Sequence, residues 1–427
     1  MKRILVIGGG GREHALLETL YATRTENLKL HCAPGNAGIG EIAQCYPKIK
    51  ADDIHAALAL AKEINPDLIV VGPEAPLCAG IVDLFNANGL AIVGPTAKAS
   101  FLEGSKAGAK KFMWRHNIPT ANAWIFHDAE AAKKFVKENR SRRQLVVKAD
   151  GLCGGKGVTV TKSDQEAMDA VDELMIQKKF GTAGESIVIE ERLEGWECSL
   201  IVLADGTNVV PFLPATDFKR RFDGDKGPNT GGMGCYSPVP VLTPELHKRV
   251  MKKIVIPTIK GMADENMPFR GFLYFGLMLT KKGPFVLEYN VRMGDPEAAV
   301  ILPLLKSDLS ELLFASTVPN GLHGMKAEWH EGAAVGVVMV HNEYPEKSSS
   351  GKTIMGIREA ERRTGATVFH AGTAKGPNGE IITAGGRILD VVGRGKTFEE
   401  ARKMAYDGAS RIRFSGMDYR KDIASKV

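Results

Sequence analysis

The sequence predicts an α/β protein built from several domains. Three observations support this class. The first third of the 427 residues alternates apolar segments of strand length with helical segments, which indicates a parallel sheet. In the middle of the chain, an apolar strand ends on a lysine and leads into a glycine-rich loop. After residue 330, short apolar segments are separated by glycine turns, which is typical of a β-rich domain.

The bulk composition excludes several classes of protein. The chain is 44% hydrophobic and 25% charged, as in ordinary globular proteins. The net charge of +6 is spread along the chain without a basic, aromatic-rich patch, which favours small anionic substrates over nucleic acid. No apolar run reaches the roughly 18 residues of a membrane span, and the six cysteines lack metal-ligand spacing. We expect a cytoplasmic enzyme without nucleic-acid or membrane partners, acting as a monomer, with a dimer left open.

Residues 1–104 are predicted to form a Rossmann-like domain. Its predicted strands are residues 3–7, 28–32, 68–71 and 91–93, and its predicted helices are residues 13–21, 53–64 and 80–88. Ligands of such sheets bind beyond the carboxyl ends of the strands. The glycine turn at residues 8–11 lies there, but Glu13 or His14 occupies the third glycine of a dinucleotide fingerprint. We expect a phosphate at the first helix with Arg12 beside it, the alternative being a tight turn that requires glycine.

Residues 105–320 are predicted to form a second α/β region, with a lid at residues 123–193. One lid strand ends on Lys148, and the loop after it carries Lys156 among glycines. Glycines let backbone N–H groups approach anionic oxygens, and lysines supply positive charge. The loop is not a Walker motif, because Asp150 replaces its first glycine and Gly157 follows its lysine. A helix is predicted to start at Lys106, with the residues before it as its cap.

A later strand at residues 285–289 carries a candidate metal site. Alternation along this strand places Glu288 and Asn290 on one face. A few oxygen ligands, completed by phosphate oxygens and water, suit Mg²⁺, although a solvated strand face would look the same. Arg292 continues this face and suits a transferring phosphoryl group. Asp295 and the proline after it are typical of a helix start.

Other polar segments of this region are candidates for substrate binding. The acids at residues 190 and 191 end a lid strand, and another acid follows at residue 197. A carboxylate at such a position can accept ribose hydroxyls, the alternative being a solvated acidic turn. The loops at residues 216–221 and 227–234 are polar and rich in glycine, which in a compact domain is typical of function.

Residues 329–427 are predicted to form a β-rich closing domain after a linker at residues 318–321. Its predicted strands are residues 333–339, 367–370 and 387–392, and its predicted helix spans residues 397–411.

Taken together, these motifs resemble a known family. The lysine-ended strand, the glycine loop, the acidic hinge and the Glu-x-Asn strand are similar to those of the ATP-grasp fold. Further strings resemble the phosphoribosylamine-glycine ligase (glycinamide ribonucleotide synthetase) family, in order along the whole chain. They are Gly-Gly-Arg-Glu-His-Ala-Leu (10–16), Ala-Pro-Gly-Asn-Ala-Gly (33–38), Gly-Pro-Glu-Ala-Pro-Leu (72–77), Gly-Pro-Asn-Thr-Gly-Gly-Met-Gly (227–234) and His-Ala-Gly-Thr (370–373).

The resemblance implies an ATP-dependent ligase of purine biosynthesis. Glycine and 5-phosphoribosylamine would be joined through glycyl phosphate, giving glycinamide ribonucleotide, ADP and phosphate. Catalysis would then depend on positioning and charge rather than on an enzyme nucleophile. At residue 299 the chain has alanine where the family commonly has glutamine.

The resemblance also assigns roles to residues. It implies that the catalytic residues are Arg292, Lys148 and Asp217. It implies that Mg²⁺ or Mn²⁺ is bound by Glu288 and Asn290. It implies that ATP is bound by Lys106, Lys148, Gly154, Gly155, Lys156, Glu190, Glu191, Leu193 and Glu197. It implies that glycine and 5-phosphoribosylamine are bound by Gly10, Gly11, Arg12, Glu13, Glu74, Lys219, Arg220, Asn229, Thr230, Gly231, Asp295 and Glu297.

Three other functions are alternatives. Another ATP-grasp ligase could act on a related ribonucleotide of the purine pathway, but the strings at residues 11–16 and 231–234 argue against it. The first glycine turn suggests an NAD-dependent oxidoreductase, but the fingerprint is broken. A nucleotide sensor without activity would not need the lysine, metal and arginine positions together.

Overall fold

The computed structural model describes residues 1–139 and 144–427, and within them the strands form six sheets. The remaining residues, 140–143, fall inside the predicted lid and lie outside the described part. In chain order the strands are β1 (Lys2–Gly8), β2 (Leu28–Pro34), β3 (Gln44–Cys45), β4 (Leu68–Val71), β5 (Ile92–Val93), β6 (Ala123–Phe126), β7 (Leu145–Ala149), β8 (Val158–Val160), β9 (Ile187–Glu191), β10 (Trp196–Asp205), β11 (Val209–Pro211), β12 (Thr216–Asp217), β13 (Arg220–Phe222), β14 (Lys226–Asn229), β15 (Gly234–Ser237), β16 (Arg270–Thr280), β17 (Gly283–Asn290), β18 (Ala333–His341), β19 (Ser349–Thr353), β20 (Thr367–His370), β21 (Thr373–Lys375), β22 (Ile381–Gly385), β23 (Arg387–Gly395) and β24 (Met417–Asp418).

The α-helices lie between these strands. In chain order they are α1 (Gly11–Thr23), α2 (Ile54–Ile64), α3 (Glu74–Cys78), α4 (Ile81–Asn86), α5 (Phe101–Gly104), α6 (Lys106–Arg115), α7 (Ala129–Glu138), α8 (Asp164–Val171), α9 (Pro244–Val250), α10 (Ile256–Asp264), α11 (Glu297–Ile301), α12 (Leu309–Ser316), α13 (Ile357–Thr364) and α14 (Phe398–Ala409). A π-helical turn, Met251–Val255, joins α9 to α10.

The N-terminal sheet is parallel, with the strand order β3-β2-β1-β4-β5. Residues 4–7 of β1 are fully buried because helices cover both faces, as expected for parallel strands. The carboxyl ends of these strands carry the glycine turn before α1 and, on α3, Glu74. The α/β class predicted from the alternation of strands and helices is therefore confirmed.

The second region contains two antiparallel sheets. The smaller one, with the order β6-β9-β7-β8, packs α7 and α8 over its own apolar cluster, and we call this unit the lid. The larger one, with the order β11-β10-β16-β17, we call the body sheet. Helix α6 begins where the sequence predicts, because Ser105 caps it by accepting a 2.9 Å hydrogen bond from the Gly108 N–H.

The C-terminal sheet contains strands from both sides of the predicted linker. Its order is β12-β15-β18-β23-β20, with β24 also paired to β18. Strand β15 begins at Gly234, the last residue of the predicted glycine-rich loop, and all four of its residues are buried against β18. Short strands with glycine have no clear alternation, so the pattern predicts a loop. The boundaries at residues 104, 320 and 329 stay predictions.

The helix expected after Asp295 begins one residue later than the capping pattern predicts. Helix α11 starts at Glu297, with Pro296 at its N-cap, and the side chain of Asp295 makes no cap. Its carboxylate instead lies 2.8 Å from the Arg387 guanidinium on β23. A tertiary ion pair thus replaces the predicted local hydrogen bond.

Across the two described ranges, every helix is too short or too polar to cross a lipid bilayer.

Candidate active site

A cleft of about 1540 Å³ lies between the lid, the body sheet and the carboxyl edge of the N-terminal sheet. Lys148 lines it from the lid, Glu288 from the body sheet, and Arg12 from the start of α1. Arg387 of the C-terminal sheet closes one side. The cleft is therefore assembled from parts of the whole chain, and it contains most of the residues predicted to bind substrates.

Two lysines share one buried glutamate where the lid meets the body. The Lys148 Nζ lies 3.0 Å from one carboxylate oxygen of Glu190, and the Lys110 Nζ of α6 lies 3.1 Å from the other. Lys148 also donates a 3.1 Å hydrogen bond to the Leu287 carbonyl on β17. The two lysines and one glutamate carry a formal charge of one positive unit, and all three side chains are buried, which suits a polyphosphate.

The glycine loop is tied to the start of α6. One oxygen of Asp150 accepts hydrogen bonds from the Ser105 hydroxyl and the Ala107 N–H, at 2.9 and 2.7 Å. The Lys106 Nζ donates to the Gly151 carbonyl at 3.1 Å. Gly154 and Gly155 line the cleft, and their φ values of +55° and +77° favour glycine.

The side chains of Lys156 and Lys148 contact different parts of the protein. Its Nζ donates a 3.0 Å hydrogen bond to the Pro345 carbonyl beyond β18, so here the side chain links the lid to the C-terminal region.

The predicted acidic hinge divides into buried and exposed acids. Glu190 is buried between the two lysines, whereas Glu191 accepts a 3.1 Å hydrogen bond from the Asn122 N–H. Leu193 and Glu197 line the cleft, and the Glu197 side chain is 47% exposed. Of these carboxylates, Glu197 is the most accessible to a ribose.

Arg292 is held between two carboxylates. Its guanidinium donates to Glu74 at 3.0 Å and to Glu103 at 2.9 Å. The other Glu103 oxygen accepts the Val291 N–H at 2.7 Å. Burial opposes ionisation of Glu74, but Arg292 and Arg12 outweigh it and lower its pKa to about 2. For Glu103 burial dominates, and the pKa is raised.

Three carboxylates meet around Lys219. Its Nζ lies 3.6 Å from Glu197, 3.9 Å from Glu288 and 4.0 Å from Asp217. Burial and the neighbouring carboxylates of Glu297, Glu197 and Glu288 raise the pKa of Asp217 to about 7, with Lys219 opposing them. Asp217 raises the pKa of Lys219 in turn, so the lysine is a cation at neutral pH.

Glu288 is suited to bind a cation. Burial raises its pKa, but Lys219, Lys148 and Lys106 outweigh burial and lower it, so the carboxylate is ionised. Asn290 lies beside it on the cleft, with its carbonyl oxygen 3.4 Å from Arg292. Within the described ranges, no three acidic, histidine or cysteine side chains gather into a metal cluster. Oxygens of another molecule would have to complete the shell of any Mg²⁺ here, as phosphates do in nucleotide sites.

Glu297 and Asp295 are fixed by different regions. The Glu297 carboxylate accepts hydrogen bonds from the Ser199 and Tyr274 hydroxyls, both at 3.0 Å. Arg387 pairs with Asp295 and donates to its carbonyl at 2.7 Å.

The polar loop of residues 227–234 lies across from these acids. The Asn229 amide donates to the Val158 carbonyl of the lid at 3.1 Å. The Thr230 hydroxyl donates to the Lys219 carbonyl, and the Gly231 N–H donates to the Tyr344 hydroxyl. Arg220, at the edge of this loop, donates to the Gly227 carbonyl at 2.8 Å. The loop thus links the lid to the C-terminal sheet.

The start of α1 is surrounded by carboxylates. Glu13 accepts the Gly10 N–H with one oxygen and the Arg12 Nε with the other, both at 2.6 Å. A Cβ on Gly11 would lie 2.3 Å from a carboxylate oxygen of Asp390, so any other residue there would have to displace this buried carboxylate. A phosphate at this helix, as the sequence predicts, would meet these two acids.

Sequence reasoning missed three charged residues of the site. Lys110 lies four residues after Lys106, and this helical spacing was a usable signal. Glu103 reads as a cap in the sequence, and Arg387 sits in an ordinary strand. Only the tertiary structure brings these two side chains to the cleft.

Comparison with family models gives one consistent match along the chain. The N domain of phosphoribosylglycinamide synthetase matches residues 2–103, its ATP-grasp (A) domain matches residues 104–298, and its C domain matches residues 334–426.

Individual proteins give the same result. The chain is 46% identical to phosphoribosylamine-glycine ligase of Neisseria meningitidis serogroup B, covering 100% of this chain and 99% of that protein. It is 47% identical to the protein of that name from Xanthomonas axonopodis pv. citri, covering 99% and 97%. The crystal structure of phosphoribosylamine-glycine ligase from Thermotoga maritima superposes with a TM-score of 0.84 at 34% identity, covering 99% and 100%. The biotin carboxylase domain of Hydrogenobacter thermophilus 2-oxoglutarate carboxylase shares the fold, with a TM-score of 0.70 at 18% identity and coverage of 98% and 91%.

Proposed function

The chain belongs to the phosphoribosylglycinamide synthetase family of ATP-dependent ligases, and we propose that its cleft joins glycine to 5-phosphoribosylamine through glycyl phosphate. The family and the ATP-grasp fold predicted from the motifs are confirmed over the whole chain. The chain has the ligase activity of purine biosynthesis for which its relatives are named. The alternative oxidoreductase and sensor functions are thereby wrong.

One observation carries the proposed arrangement of substrates. A single cleft of about 1540 Å³ contains both the buried lysines and the Arg292 cluster beside the N-terminal sheet. ATP would occupy the lysine end, and the amine substrate would enter from the side of Arg12 and Glu74. The reacting groups would then meet near Arg292 and Asp217, where the two ends join.

The first chemical step would form glycyl phosphate. A carboxylate oxygen of glycine attacks the γ-phosphorus, and the bond to the ADP oxygen breaks. Lys148 and Lys106 would hold the phosphate oxygens, and Arg292 would stabilise the charge on the transferring phosphoryl group. Two carboxylates fix the Arg292 guanidinium, so it would not need to reorganise during the step.

The second step would form the amide. The amine of 5-phosphoribosylamine attacks the carbonyl carbon of glycyl phosphate, and phosphate leaves. The amine must lose a proton, and the Asp217 carboxylate is a suited acceptor because its pKa is raised to about 7. Lys219 beside it would offset the negative charge of the leaving phosphate.

We further propose that Glu288 and Asn290 hold Mg²⁺ or Mn²⁺ together with phosphate oxygens. The ionised carboxylate and the adjacent amide oxygen fit a hard cation. When bound, the metal would draw negative charge from the phosphates of ATP. The monomeric state and the cytoplasmic location stay predictions.

The proposal is tested by measuring ADP formation with ATP, Mg²⁺ and glycine, while 5-phosphoribosylamine is generated from ribose 5-phosphate and ammonia. We expect ADP to form in step with glycinamide ribonucleotide, identified by mass spectrometry. Lys148→Met is the matched inactive variant. ADP formation that requires bicarbonate instead of glycine would contradict the proposal and favour a related ligase.

A further inference from the structure

Lys110 is a buried cation for which the proposed ATP site has no direct use. Its side chain, on the cleft face of α6, is 2% exposed. The Nζ donates to the Thr120 hydroxyl at 2.6 Å and to the Ala121 carbonyl at 3.5 Å. Its remaining contact is the Glu190 carboxylate oxygen at 3.1 Å. These contacts point Lys110 at Glu190.

Glu190 also forms an ion pair with Lys148. Its second oxygen lies 3.0 Å from the Lys148 Nζ, on the neighbouring lid strand. Lys148 then donates back to the Leu287 carbonyl of the body sheet. The contacts therefore run from α6 to the lid strands β9 and β7, and from there to β17 of the body sheet. Lys110 thus holds the Glu190 oxygen that does not contact Lys148.

The net charge of Lys110, Glu190 and Lys148 affects phosphate binding. With Lys110 present, one carboxylate is shared by two cations. Without Lys110, Glu190 would pair with Lys148 alone, and the pair would carry no net charge beside the phosphates. Burial lowers the pKa of Lys110 to about 8, although Glu190 opposes this, so the lysine is a cation at neutral pH.

We propose that Lys110 is a positioning residue for Lys148: it fixes and partly neutralises Glu190, so that Lys148 keeps its orientation and the cluster of the three groups keeps a net positive charge for the phosphates of ATP. This inference rests on the proposed function, since it assigns Lys148 to ATP. Lys110 acts through Glu190 and does not itself touch the nucleotide.

A double-mutant cycle tests the inference, with ATP or glycine varied while 5-phosphoribosylamine is generated from ribose 5-phosphate and ammonia. Lys110→Met should raise the KM for ATP roughly tenfold, as is common when a group behind a ligand-binding residue is removed, and leave the KM for glycine within about twofold. In the Glu190→Gln background, the same substitution should change the KM for ATP less than about twofold, because the carboxylate through which it acts is gone. Lys111→Met, on the exposed face of the same helix, is the matched control and should behave as the unaltered protein.

The other outcomes overturn the inference. A tenfold rise in both backgrounds would mean that Lys110 contacts ATP directly. A lower kcat or thermal stability with an unchanged KM for ATP would mean a purely structural role. Lys110→Gln, which keeps a hydrogen-bond donor without the charge, replaces Lys110→Met if the latter does not fold. Absence of glycine-dependent ADP formation in the unaltered protein and in Lys111→Met would instead refute the proposed function.

Discussion

Replacing Glu103 with glutamine should weaken both the fold and the reaction, because this carboxylate fixes Arg292. One Glu103 oxygen lies 2.9 Å from the guanidinium, and the other accepts the Val291 N–H at 2.7 Å. Glutamine can keep the hydrogen bond from Val291. It cannot keep the ion pair, and Glu74 would then be the remaining carboxylate that pairs with Arg292.

The magnitude follows from the geometry. With charge centres about 4 Å apart and an effective dielectric constant of about 20, the pair attracts by about 4 kcal/mol. Removing the buried carboxylate also removes its desolvation cost, so the net loss of stability should be about 1–3 kcal/mol. If a similar loss applies in the transition state, kcat/KM should fall about 5- to 150-fold.

Urea denaturation gives the free energy of unfolding, and glycine-dependent ADP formation gives kcat/KM. Glu63→Gln, on the exposed side of α2, is the matched control and should stay within about 0.5 kcal/mol of the unaltered protein. A free energy of unfolding of Glu103→Gln within about 0.5 kcal/mol of that of the unaltered protein, together with more than about half of its kcat/KM, would refute this expectation.

Three further changes test other parts of the structure. Glu288→Ala should abolish ADP formation at saturating Mg²⁺ while the thermal unfolding temperature stays the same, and substantial residual activity would contradict the metal assignment. Glu74 has a pKa lowered from 4.5 to about 2, so its carboxylate stabilises the fold above pH 4.5 and this stability is lost as the pH falls towards 2. The stability difference between the unaltered protein and Glu74→Gln should thus shrink by about 1 kcal/mol between neutral pH and about pH 4 in urea titrations, and a constant difference would refute the ion pair. Gly393→Ala would place a Cβ 2.1 Å from a backbone carbonyl of α14, so unfolding in urea should show a loss of about 3 kcal/mol. Gly40→Ala, whose Cβ would meet the Cys45 sulfur at an ordinary van der Waals distance of 3.9 Å, should change stability by less than about 0.5 kcal/mol.

The strand and helix order was predictable because apolar runs mark it directly. Residues 68–71 are predicted as a buried strand and form β4 with the same bounds, since four consecutive apolar residues fit a sheet covered on both faces. The cap of α6 by Ser105 was equally readable, because capping is a contact between neighbours in the chain.

The internal contacts of the site were not predictable in this way. Arg292 meets Glu103 across 189 positions of sequence, and Arg387 meets the Asp295 carbonyl across 92. Neither residue carries a local signal of its partner. Glu190 illustrates the same limit: its position at the end of a lid strand suggests a ribose ligand, but two lysines flank its carboxylate.

The sheet that crosses the predicted linker has a consequence for synthesis on the ribosome. Strand β15 pairs with β18, so that Gly234 lies opposite Val337. The polar loop that carries Asn229 and Thr230 is therefore anchored on one side by a strand made about a hundred residues later. Closing so long a segment is slow compared with local folding. The nascent chain can complete its N-terminal sheet early, but its substrate cleft takes shape only after β18 has left the exit tunnel, which ties the onset of activity to near-completion of the chain.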